Sequence, residues 1–135
     1  MNSIPAPDIS SEAQLAFKQN HTKIIDTLVT RLLKEPGQFD HLGEQAESIL
    51  RNGFEFTSSS LEACMQINDA SLLIDQLRWA NDRLPHDGIG MERMIKNLQV
   101  YCEVISEMLP ENYSSPIVEL VQSMISIQKE IAKEN

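Results

Sequence analysis

The sequence predicts a single all-α domain, a bundle of five to six helices. Three observations carry that expectation. Apolar residues recur three and four positions apart along most of the 135 residues, the period of one face of a helix. The five glycines and six prolines are few, and they fall between the periodic segments. Aromatic residues make up only 5%, so leucine, isoleucine, valine and methionine must fill the core. The length fits one domain of roughly 100–200 residues and suffices for a real core, since a domain of about 150 residues hides about 70% of its extended surface.

Residues 1–10, with Pro5 and Pro7, read as a loose tail, and residues 11–135 as the domain. Ser11 and Gln14 have the spacing of a capping box, in which each side chain satisfies an amide at a helix start. The helix that follows is expected to reach about Lys34, with Phe17, Ile24, Ile25, Leu28 and Leu32 on one side, and to end at Pro36-Gly37. A second helix is expected from about Gln38 to Arg51, stopped by Asn52-Gly53 as a left-handed cap. After "FEF", read as an extended link or a first turn, Ser59 and Glu62 suggest a short helix from Ser59 to Ile67. Asn68-Asp69 then caps a helix from about Ala70 to Leu84, with Leu73, Leu77, Ala80 and Leu84 inward. The clearest segment runs from Met91 to Leu109 through Met94, Ile95, Leu98, Tyr101, Cys102, Ile105 and Met108, and Pro110 closes it.

Ser115-Pro116 resembles an N-cap followed by proline in the first helical position, which starts a last helix over 116–133. With residues about 100° apart, its apolar side chains cover roughly half the circumference, more than one docked face needs. Leu120, Met124, Ile127 and Ile131 keep the spacing of a coiled-coil seam. This predicts an interface, with a second copy in a homodimer or with another protein. A deeply buried terminal helix is the competing explanation.

Charge excludes some partners. With 20 Asp and Glu against 11 Lys and Arg, the net charge is −9. No basic cluster offers itself to a phosphate backbone, so neither nucleic acid nor an anionic membrane surface is an expected partner. The first residues lack the basic and apolar regions of a signal peptide, and no apolar run reaches the ~20 residues of a membrane span. Cys64 and Cys102, far apart on apolar faces, read as reduced core thiols. The expected location is the cytoplasm.

The candidate chemistry gathers in "PHDGIG", residues 85–90. His86-Asp87 invites comparison with His-Asp phosphohydrolases, with His41 as an upstream ligand. No Asp or His follows Asp87, so the final metal ligand is missing. A cobalamin signature fails at Leu84 and Ile89, and neither a phosphate loop nor a nucleophile elbow is present. The expectation is a helix-to-helix corner, with Asp87-Gly88 turning at positive φ. No catalytic set and no metal site is expected. His21 lies near an apolar face and could ligate haem, but a core-edge histidine bonded to a carbonyl or carboxylate explains it more simply. A bilin on Cys64 lacks the Arg-Asp companion expected after the thiol. Trp79 stands at the border of an apolar face, either fixing a packing angle or walling a pocket.

The phrases "KIIDTLVTRLL" and "LLIDQLRWANDRL", a "GI" turn, a long amphipathic helix ending "EMLP" and a terminal helix together resemble non-haem globin-like sensor domains. Such domains occur in bacterial stressosome regulators and sporulation sensor proteins. The resemblance spans the chain from Ser11, and it rests on helix order and lengths. It implies a helical homodimer that senses a signal or a small apolar ligand, and passes the response through its last helix. As this sequence ends with that helix, the expected function is a non-enzymatic regulatory binding module in a signalling pathway. Trp79, His86, Met91 and Met94 are the expected pocket residues, and no cofactor is expected. The alternative is a haem- or tetrapyrrole-binding protein that uses His21 or His86.

Overall fold

The structure, a computed structural model, describes residues 7–133. It consists of six α-helices and two short 3₁₀ segments, with no β-strand among the described residues. The helices are α1 (Ser11–Gln19), α2 (His21–Leu33), α3 (Ala46–Ile67), α4 (Leu72–Arg83), α5 (Met91–Met108) and α6 (Glu111–Lys133). The 3₁₀ segments are Asp40–Gln45 and Leu84–Asp87. Residues 1–6 of the expected tail and the side chains of Leu84 and Asp87 lie outside the described residues.

The first expected helix is two helices. The cap is Ser10, one residue earlier than the capping box suggested, with its Oγ accepting from the Ala13 amide at 3.1 Å. Gln14 reaches back to the carbonyl of Ile9, whose side chain is 3% exposed and belongs to the core. The break falls at Asn20, whose backbone and side-chain N–H groups both donate to the carbonyl of Ala16. An asparagine that bonds its own preceding turn competes with helix continuation.

The second and third expected helices are one. Asn52 and Gly53 sit inside the 22-residue α3, as do Ser59 and Glu62. Packing overrides the local signal. Phe54 is buried with its ring 5.2 Å from that of Tyr101, and the Tyr101 hydroxyl lies 2.5 Å from Ser58 Oγ. These contacts hold α3 on α5 across the would-be cap. The left-handed residue that ends α3 is Asn68, at φ 53°. Asp69 Oδ1 then accepts from the Ser71 amide and hydroxyl, ordering the entry to α4.

α5 matches the expected segment to within a residue at its C-terminal end. Its first turns are tied to the chain after α2 by Arg93, which is 2.8 Å from Glu35 and lies over the ring of Phe39. α6 starts at Glu111, directly after Pro110, so Pro116 lies within the helix and not at its start. Lacking an N–H, Pro116 gives up one intrahelical bond in return for a fixed helical φ.

α6 packs against α5, α4 and α1. Leu120, Met124 and Ile131 are at most 4% exposed, and Ile127 is half-buried against the same core. The expected interface is therefore interior. The wide apolar face exists because three neighbouring helices surround it, and it is not left over for a partner. No described helix is long and apolar enough to cross a membrane.

Cys64 and Cys102 are both buried thiols without a disulfide. Burial pushes each from 9.0 up to about 11, with Asp69 adding to the effect at Cys64 and Glu103 at Cys102. The folded chain thus keeps these protons after the unfolded chain has lost them. Stability is expected to fall as pH rises from 9 through 11. Urea midpoints at pH 8 and pH 10.5 check this, and a Cys64→Ala, Cys102→Ala variant should lose less stability over that interval than the parent.

Candidate functional site

Helices α3 and α4, joined through residues 68–71, line a groove of about 660 Å³ to which α5 and α6 also contribute. This size falls within the roughly 300–1,000 Å³ of small-molecule sites. The floor is core: Leu50, Leu77, Leu98 and Met124 line it and are each at most 2% exposed. Ile89 and Met94 also line it, from the chain that enters α5 and from its first turn.

The rim is aromatic. Phe56 on α3 is 53% exposed and Trp79 on α4 is 58% exposed, with ring centroids 6.0 Å apart. Large apolar rings are the side chains whose exposure has most to lose, because each can bury about 150–250 Å². Both line the groove, so a ligand there would cover them. Phe56 is exposed for a geometric reason. In a helix, residues two apart point about 200° from each other, so burying Phe54 against Tyr101 turns Phe56 outward.

On α4, Gln76, Trp79, Ala80 and Arg83 follow three- and four-residue spacing and share the face towards the groove. Among the described lining residues Arg83 is the single charged one, and the remaining polar groups are amides and the Thr57 hydroxyl. Thr57 Oγ1 donates back to the Gly53 carbonyl at 3.0 Å. The buried Asn97 accepts from Arg93 Nε at 2.9 Å. These groups can orient a ligand, but they contain no base beside a nucleophile.

The expected pocket residues divide. Trp79 and Met94 line the groove, whereas His86 and Met91 do not. His86 is exposed on the 3₁₀ corner, and Met91 is half-buried at the start of α5. That corner does turn at Gly88, at φ 82°. A Cβ there would come within 2.7 Å of the His41 ring, whose Nε2 lies 2.6 Å from the Gly88 carbonyl oxygen. His41 is thus a structural clasp between the two 3₁₀ segments. His21 opens α2, half-buried, and lines no part of the groove. Among the described residues, no group of three or more His, Cys, Asp or Glu side chains is placed to hold a metal ion.

Phe56 and the α3 side of the groove are not nominated by the sequence because "FEF" reads there as an extended link or a first turn, and Arg83, at the end of α4, carries no local signal of a site. The available signal was Phe54 and Phe56 themselves, since no single helix face can take both.

A second trough, shallow and open, runs between α5 and α6 past Cys102 and Ile125. Arg31 and Glu107, an ion pair at 2.5 Å, are among its lining residues. No protein-family model matches the chain, and comparisons with curated proteins and with solved structures found no match.

Proposed function

We propose that the protein is a non-enzymatic binding module whose site is the groove between α3 and α4, and whose ligand is a small apolar molecule. One observation carries this reading: two exposed aromatic rings, Phe56 and Trp79, meet at the mouth of a cavity floored by core side chains. Apolar walls with a few polar groups are what a small-molecule site needs. The described lining contains no His, Cys, Asp, Glu or Lys, which supports binding without catalysis. The sensory or regulatory character of the module rests on the resemblance in helix order described above. Ligation of haem through His21 or His86 gains no support from this site, because neither histidine lines it.

A neutral apolar dye tests the proposal. Nile red is expected to bind with a blue-shifted, enhanced emission and to quench Trp79, the one tryptophan in the chain. Ala80→Phe, which adds a ring inside the groove, should abolish both effects while circular dichroism stays unchanged. Dye binding that survives Ala80→Phe would place it elsewhere on the surface and overturn the assignment.

A further inference from the structure

The chain has 20 acidic residues and a net charge of −9, yet the described lining of the groove contains no carboxylate and one cation, Arg83. Arg83 follows Trp79 by one helical turn, so the indole and the guanidinium stand side by side on α4. Phe56 completes the aromatic wall from α3. Two aromatic rings inclined at 49° beside a cation suit an aromatic ring that stacks on one and meets the other with its edge, and that carries an anion on its rim.

We infer that the groove selects a planar aromatic acid, its ring against Phe56 and Trp79 and its carboxylate on Arg83. The inference rests on the small-molecule reading of the groove and narrows it. Arg83 already interacts within the chain. A guanidinium offers five N–H donors in a fixed fork, so it can serve more than one acceptor. The negative end of the α4 dipole opposes an anion at this end of the helix. Charge-assisted bonds from guanidinium to carboxylate, which are often bidentate, are the stronger effect. The net negative charge of the chain also opposes an anion, so the preference has to come from the Arg83 contact itself.

The test compares naphthalene-2-carboxylate with its neutral isostere naphthalene-2-carboxamide, both as competitors of Nile red on the full chain. The carboxylate is expected to bind at least tenfold more tightly at low salt. Arg83→Gln should bring the two ligands to parity, and Trp79→Ala should weaken both. Parity in the parent protein, or a carboxylate preference that survives Arg83→Gln, overturns the inference and leaves the groove as an apolar site. Nile red binding that neither naphthalene displaces also overturns it. If the dye itself fails to bind, the small-molecule reading falls together with the inference.

Discussion

Leu120→Ala is expected to remove about 2–5 kcal/mol of folding stability, the cost of a large-to-small change at a closed core site. Leu120 is 0% exposed on the helix that touches α1, α4 and α5. Against a typical total of about 5–15 kcal/mol, that is from roughly an eighth of the stability to all of it. Leu15→Ala is the control, because Leu15 is 54% exposed. Its change should stay within roughly 0.5 kcal/mol. Urea titration of both variants reads the difference. A Leu120→Ala variant as stable as the parent would mean that α6 is not seated in the core. The same burial predicts the fate of Leu120→Glu with Ile127→Glu. That variant should unfold and not become a folded monomer, because it forces an unpaired charge into the interior.

The opposite sign is expected at Gln128. This side chain is 0% exposed on α6, and neither its amide nitrogen nor its oxygen finds a hydrogen-bond partner among the described residues. An unsatisfied buried polar group costs about 1–3 kcal/mol. Methionine has nearly the same length and volume and no polar atoms to desolvate. Gln128→Met should therefore stabilise the protein by about 1–3 kcal/mol, raising Tm by roughly 3–5 °C per kcal/mol for a chain of this size. Gln128→Glu should destabilise it, since a carboxylate in that position is costlier still. Calorimetry on the two variants decides the matter. A lower Tm for the methionine variant would mean that the amide is satisfied in solution, and the position would then be a polar fixture of the core.

The fold was legible where a pattern was long and one-sided. α5 could be read from Leu98, Tyr101, Cys102 and Ile105 because apolar residues repeat along one face, buried from Asn97 to Ile105. The errors came from short signals that packing outweighed. Asn52-Gly53 has cap chemistry, yet Phe54 on Tyr101 and Ser58 on the Tyr101 hydroxyl stabilise a helix through it. Ser115-Pro116 has start chemistry, yet the start that succeeds is the turn after Pro110, where the amides of Tyr113 and Ser114 bond the Pro110 carbonyl. In α6 the period showed how wide the apolar face is. It could not show whether that face meets one neighbour or three.

The candidate site was half legible for a related reason. Trp79 and Met94 could be nominated from one continuous stretch. Phe56 and Leu50 come from α3, at a sequence distance that only the tertiary fold brings together. His86 stood close to Trp79 in the chain, but the 3₁₀ corner puts it outside the groove.

Met124 belongs to two structures at once: it lines the groove and it is a buried residue of α6. Any ligand that needs Met124 in place binds only while the last helix is docked, so occupancy and docking are thermodynamically linked. At a hundredfold excess over its Kd, such a ligand would hold the helix down with about 2.7 kcal/mol of added free energy. Linkage is reciprocal. A change anywhere along α6 that loosens its docking will be felt as weaker binding in the groove.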